Sequence, residues 1–213
     1  ADDLKVWQAA DCAFLVDPEF GVERRARSLD NVTKVIRSNT SHYKPWIKAL
    51  RLHQWLKNIL LFVPLLATHQ IFSLPMLLVG ILTFIFFGLC ASSVYILNDL
   101  FDLQDDRHHT TKKNRPFASG TLSIKSGLLL TFIFLFLAFF GSALLLPNTF
   151  LLVLTVYYLL TLSYSLLFKR IMMLDVVILA TLYTLRIIAG IAAFKMQPTF
   201  WVLVFSMFIF TSL

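Results

Sequence analysis

The sequence predicts an all-α protein, a multi-pass transmembrane helix bundle, and three observations carry that expectation. Mean hydropathy is +0.75 and only 15% of residues are charged, a composition unlike that of soluble globular domains. Apolar runs long enough to cross a hydrocarbon core of ~30 Å recur along the chain. The cations gather in short polar stretches between those runs, as basic residues do on the cytoplasmic side of a membrane.

Residues 1–45 form a short soluble remnant, and residues 46–213 form the membrane domain. The segment 46–57 sets Trp46, Leu50, Leu52, Trp55 and Leu56 among Lys48, Arg51 and Lys57, the pattern of an interfacial helix. Six apolar segments follow, near 57–72, 74–98, 125–147, 149–168, 172–194 and 199–213, the last one incomplete. Pro75, Pro147-Asn148 and Gln197-Pro198 mark the turns between them. Because the chain starts at Ala1 rather than Met and stops within an apolar run, it reads as a piece of a longer protein. With the tail in the cytoplasm, the 99–124 loop returns there after two crossings and Lys169-Arg170 after four. The opposite turns hold one cation, Lys195. The expected location is a cell (inner) membrane, with the polar loops facing the cytoplasm. The net charge of +7 thus records orientation, and no nucleic-acid partner is expected. Cys12 lies in the polar tail and Cys90 in an apolar run, so no disulfide framework is expected.

One stretch concentrates the charge: "VYILNDLFDLQDDRHHTTKKNRPFASG", residues 94–120. At roughly 100° per helical residue, Asp99, Asp102 and Asp106 share one arc with Asn98 and Tyr95. Clustered oxygens of this kind suit Mg²⁺, which is often held by a few carboxylates and substrate phosphates. The plainer reading is a solvated loop whose acids pair with Arg107, Lys112 and Lys113. Like charges repelling along one face favour the cation site instead. A calcium loop lacks its alternating acids and central Gly. Arg186 lies well inside an apolar segment, where an Arg costs at least ~2.5–3.5 kcal/mol unless it faces a cavity or a partner. It should face the bundle interior, toward an anionic substrate or a structural carboxylate. Lys57 and Lys169 each end an apolar span and would also pass for snorkelling anchors. His108-His109 reads as loop, and Tyr157-Tyr158 as lipid-facing or packing residues.

Asn98-Asp99-x-x-Asp102-x-x-x-Asp106, with Arg115-Pro116 and Gly120 beyond, resembles the first aspartate-rich motif of the UbiA superfamily of intramembrane prenyltransferases. The resemblance covers about 46–213. It implies a bundle of nine transmembrane helices, about six of them present here, around a cytoplasm-facing cavity between two such motifs. The second motif would lie beyond Leu213. Within the superfamily, "RLHQWLKN" (51–58), "VYILND" (94–99), "TKKNRP" (111–116), "YSLLFKR" (164–170) and "TLRIIAG" (184–190) are similar to the polyprenyl-phosphate phosphoribosyltransferases. Asn114 departs from the aromatic or basic residue common at its position.

That resemblance implies that Asn98 and Asp102 hold Mg²⁺. Lys57, Tyr95, Asp106, Lys112, Arg115, Lys169 and Arg186 would bind substrate, and Asp102, Asp99 and Arg186 would be catalytic. The expected reaction moves phosphoribose from phosphoribosyl diphosphate to a polyprenyl phosphate lipid. The alternative is transfer of a prenyl group from prenyl diphosphate to an aromatic acceptor, and a transporter or channel is a third reading. The tail "DDLKVWQAADCAFLVDP" resembles the closing piece of a haloacid-dehalogenase-like domain, with Asp3 the last acid of its motif. Its nucleophilic aspartate is absent from this sequence, and a linker helix is the alternative.

Overall fold

Inside lipid, a backbone must satisfy its own hydrogen bonds, which leaves the long apolar runs little choice but helix. A computed structural model of the protein describes residues 9–16, 24–26, 28, 32–36, 43–69, 72–168, 172–197 and 200–212. The chain divides into two compact units, Ala1–His42 and Tyr43–Leu213. In the first unit, β1 (Ala13–Val16) pairs in parallel with β2 (Val32–Ile36). Asp3 lies outside the described residues.

The second unit is helical. It runs through α1 (Lys44–Leu50), a 3-10 segment (Leu52–Phe62), α2 (Val63–Ala67), α3 (Leu74–Phe101), α4 (Leu103–His108), α5 (Ile124–Leu145), α6 (Asn148–Leu166), α7 (Met172–Ala193) and α8 (Phe200–Ser212). The starts follow local chemistry. Pro75 sits in the first turn of α3, where its missing N–H costs nothing. Ser123 caps α5, its hydroxyl accepting from Ser126 N–H at 3.1 Å. Pro147 precedes α6, so α5 and α6 are joined by a tight connection.

Among the described residues, four helices are long and apolar enough to cross a membrane: α3, α5, α6 and, within α7, Leu174–Ala193. The protein is an integral membrane protein with an all-α, multi-pass architecture. Of the six expected segments, the first and last form shorter helices, Leu52–Ala67 and Phe200–Thr211. The first begins earlier than the apolar run suggests and gains length from its winding. A 3-10 helix rises about 2.0 Å per residue against about 1.5 Å in an α-helix, so 52–67 still reaches about 30 Å. Trp55 is turned inward rather than left at headgroup depth: its indole N–H donates to Ser92 Oγ at 2.9 Å, and that hydroxyl donates to Leu50 O at 3.0 Å.

The core gathers on α3, α6 and α7 around Phe87, Cys90, Phe150, Leu154, Tyr157 and Leu185. A smaller cluster of Ala49, Ile96, Phe117 and Leu122 sits beneath the loop that follows α4. Small residues let these helices approach closely. At Gly190 on α7, an added Cβ would stand 2.1 Å from the backbone oxygen of Leu61. Backbone cannot step aside as a side chain can. Gly190→Ala should therefore cost about 1–3 kcal/mol through overpacking. Thermal unfolding in detergent checks this, and an unchanged midpoint would refute the close approach.

Candidate functional site

At its polar end α3 runs into α4 through Asp102, and the helical bonding continues across the joint. Asp102 N–H donates to Asn98 O at 2.9 Å, and Asp106 N–H donates to Asp102 O at 2.8 Å. The acidic motif therefore keeps a helical register, but its members face two ways. Asn98 Oδ1 accepts a short hydrogen bond from Ser165 Oγ of α6. Asp99 Oδ1 accepts from Arg51 at 2.5 Å and from Arg115 at 3.1 Å, and Asp106 Oδ2 accepts from Arg115 at 2.7 Å. Asp99 and Asp106 are only 3% and 2% exposed. Two carboxylates and two guanidiniums thus form a neutral, largely buried network. The plainer reading expected pairing with Arg107, Lys112 and Lys113, but the arginines that arrive are Arg51 and Arg115.

A second polar group lies deeper in the bundle. Arg186 of α7 is 4% exposed, and its Nε donates to Asn58 Oδ1 at 3.2 Å. Its other donors reach Leu182 O at 2.9 Å and Tyr157 Oη at 3.2 Å. The guanidinium lies over the rings of Tyr183, Tyr157 and Phe87, at 5.2, 5.3 and 5.8 Å from their centroids. Lys57 Nζ is 5.3 Å from the Tyr183 ring centroid. No carboxylate forms a salt bridge with Arg186 among the described residues. Asn58, 1% exposed, has a buried Nδ2 with no hydrogen-bond partner. Its orientation is forced, because Arg Nε can only donate and the amide oxygen must face it. A buried cation and an orphaned donor together call for an acceptor, and an anion answers both.

The expected site residues therefore fall into two groups. Asn98, Asp99, Asp102, Asp106 and Arg115 meet at the polar end of α3, with Tyr95 beneath Arg51 at 5.4 Å. Lys57 and Arg186 meet on Tyr183. At roughly 1.5 Å per residue, Phe87, under the Arg186 guanidinium, lies about 16 Å from Asn98 along α3. Lys112 is exposed in a 3-10 turn, Lys112–Asn114. Lys169 lies outside the described residues. Sequence reasoning missed Arg51, Asn58 and Ser165 as site residues, and it read Tyr157 as a lipid-facing or packing residue. Asn58 carried a signal, a carboxamide that must find partners within an apolar segment.

Among the described residues, the donor chemistry of Asn98 and Asp102 fits Mg²⁺. No group of three His, Cys, Asp or Glu side chains among the described residues could close a cage around a metal. Mg²⁺ needs none, since one or two protein oxygens plus substrate phosphates and waters suffice. Asn98 and Asp102, one turn apart and partly exposed, offer an amide and a carboxylate oxygen. Asp99 and Asp106 fit poorly, because arginines already occupy them.

Three comparisons bear on this arrangement. The model of the UbiA prenyltransferase family matches residues 59–213. Uncharacterized protein y4nM of Sinorhizobium fredii is 39% identical over 214 residues, covering 100% of this chain and 41% of that protein. Decaprenyl-phosphate phosphoribosyltransferase of Mycobacterium tuberculosis is 32% identical over 166 residues, 76% of this chain and 55% of that protein. The chain thus spans about half the length of the curated relatives it matches. The fold is like that of a UbiA homolog from Archaeoglobus fulgidus bound to DMAPP and Mg²⁺, with TM-score 0.63 and 21% identity over 79% of this chain and 61% of that one.

Asn58→Asp tests the deep group. The new carboxylate would face Arg186 and replace the orphaned donor, a charge-assisted bond of about 1.5–3 kcal/mol. Thermal stability of the ligand-free protein should rise by a few degrees while turnover falls at least tenfold. Unchanged stability together with unchanged turnover would show that Arg186 lacks no counter-charge.

Proposed function

The chain belongs to the UbiA prenyltransferase family, and on that premise we propose that the intact protein is a membrane transferase that moves phosphoribose from phosphoribosyl diphosphate to a polyprenyl phosphate. The observation that carries this reading is the surplus of uncompensated cation. The two buried acids are spent on Arg51 and Arg115, while Arg186, Lys57 and Lys112 keep charge for a ligand. Arg186 lies over Phe87, about three turns down α3 from Asn98, so the deep cation and the end of α3 offer separate sets of contacts for anions. A sugar bearing a diphosphate and a second phosphate, together with a lipid phosphate, brings anions enough for both groups. Relatives named for this reaction, at 32–33% identity over 76% of the chain, support it.

In this reading Asn98 and Asp102 hold Mg²⁺, which when bound offsets negative charge on the departing diphosphate. Lys112 contributes an exposed cation to the same phosphates. The bond from ribose C1 to the diphosphate breaks, its electron pair leaving with the diphosphate, and a lipid phosphate oxygen forms the new bond to C1. Arg186, Asn58 Nδ2 and Lys57 bind the remaining anion and orient its carrier. The apolar walls keep water from capturing the electron-poor C1 centre. By the motif resemblance Lys169 would add a substrate contact, and the active site would open toward the cytoplasm from the inner membrane. The β1–β2 pair supports reading the first unit as the end of a haloacid-dehalogenase-like domain. Family membership sets aside the transporter.

A second reading has its own observation. The rings of Tyr157, Tyr183 and Phe87 around Arg186 would also suit an aromatic acid, whose carboxylate would pair with the guanidinium while a prenyl diphosphate binds at Asn98 and Asp102. Radiolabelled phosphoribosyl diphosphate with polyprenyl phosphate, run beside radiolabelled prenyl diphosphate with 4-hydroxybenzoate, separates the two. Lipid-soluble label is expected in the first reaction, with at least a hundredfold loss in Asp102→Asn. Lipid-soluble label in the second reaction alone would overturn the donor and leave the family standing.

A further inference from the structure

The acidic motif splits into two rows with opposite duties. On a helix at roughly 100° per residue, Asp99 and Asp106 nearly eclipse each other, while Asn98 and Asp102 form a neighbouring row about 70° away. Two arginines neutralise the first row, so it has no charge left over for a metal or a phosphate. We propose that the Arg51–Asp99–Arg115–Asp106 quartet is a positioning clasp. It sets the direction of Asp102 and holds the turn carrying Lys112 against the end of α3, and neither Asp99 nor Asp106 touches metal or donor. The proposal rests on reading Asn98 and Asp102 as the metal-holding pair.

Three features build the clasp. Arg115 bonds Asp99 on α3 and Asp106 on α4, so it grips both sides of the joint at which Asp102 sits with φ −86° and ψ 10°. That joint can open or straighten only if Arg115 releases one carboxylate. Arg51 enters from the other side in a left-handed conformation, φ 49° and ψ 47°, which L residues adopt at a cost. Its guanidinium meets Asp99 at 2.5 Å and lies over Tyr95, so side-chain contacts offset the backbone strain. The loop is held on either side of Arg115 as well. Asn114 O accepts from Lys48 Nζ at 2.7 Å, and Arg115 N–H donates to Lys112 O at 2.9 Å. Phe117 is buried against Gly127, where an added Cβ would stand 2.5 Å from its ring. Pinned in this way, the turn leaves the Lys112 side chain exposed.

The test uses the full-length protein in nanodiscs, with Asp106→Asn, Arg115→Gln, the double variant and Arg115→Lys, which keeps the charge but loses the fork that bridges two carboxylates. Two readouts are taken. One is maleimide labelling of Lys112→Cys in each background. The other is Mn²⁺ binding in the presence of inorganic diphosphate, followed by electron paramagnetic resonance, with Asp102→Asn as the comparison. The clasp predicts labelling at least threefold faster in each single variant and no faster in the double, because either loss opens the same contact. It predicts a partial effect in Arg115→Lys and, because the clasp directs Asp102, a two- to fivefold loss of Mn²⁺ affinity in Asp106→Asn that accompanies the faster labelling, against at least a tenfold loss in Asp102→Asn. A tenfold loss of Mn²⁺ affinity in Asp106→Asn, with labelling unchanged, would make Asp106 a ligand and overturn the clasp. Unchanged labelling overturns it whatever Asp102→Asn shows. Retained Mn²⁺ in Asp102→Asn counts against the metal pair instead.

Discussion

Asp99 and Asp106 can be buried at the end of a membrane helix only because Arg51 and Arg115 come with them. A carboxylate taken out of water without a partner costs several kcal/mol, and removing one partner of a buried pair strands the other. Here one guanidinium serves two carboxylates and one carboxylate serves two guanidiniums. Four residues from three stretches of chain are thus tied at one point: the segment before the first apolar run, the end of α3 with α4, and the loop before α5. The direction of Tyr95, the joint at Asp102 and the anchoring of the Lys112 turn all depend on that knot.

The deep cation is a different kind of object. Arg186 has neutral partners and aromatic rings about it, and its neighbour Asn58 keeps an unsatisfied donor. Structural ion pairs are closed, as the Asp99 network is. A binding group is left open because its ligand completes it. Two unlike electrostatic environments thus occur on one bundle: a closed ion-pair network at the polar end and, deeper, a cation with no carboxylate partner among the described residues. Asn98 and Asp102 lie on the row beside the clasp, at the end of α3 where charge can still be hydrated.

Much of this was legible in the residues. Hydropathy pointed to the bundle, because apolar runs of about 20 residues match a membrane-crossing helix, whereas a barrel strand takes only about 9–11. The register of Asn98, Asp99, Asp102 and Asp106 follows from helical geometry, and the inward placement of Arg186 follows from the cost of a cation in hydrocarbon. What lay hidden was pairing at a distance. Arg51 is 48 residues from Asp99, and Asn58 is 128 residues from Arg186. No local period marks such partners. The single arc of acids therefore read as one site, and only the arrival of Arg51 and Arg115 divided it into two rows. Tyr157 was read as lipid-facing or packing because a phenol in an apolar helix looks the same whether or not its hydroxyl has a partner.

The division of the motif into a ligand row and a clasp row is the claim on which the rest turns. Anomalous diffraction from crystals of the full-length protein soaked with Mn²⁺ and inorganic diphosphate measures it directly. A peak at about 2.0–2.6 Å from Asn98 Oδ1 and an Asp102 oxygen, with Arg51 and Arg115 still on Asp99 and Asp106, is the predicted result. A cation bound to Asp99 or Asp106, with the arginines displaced, would contradict it.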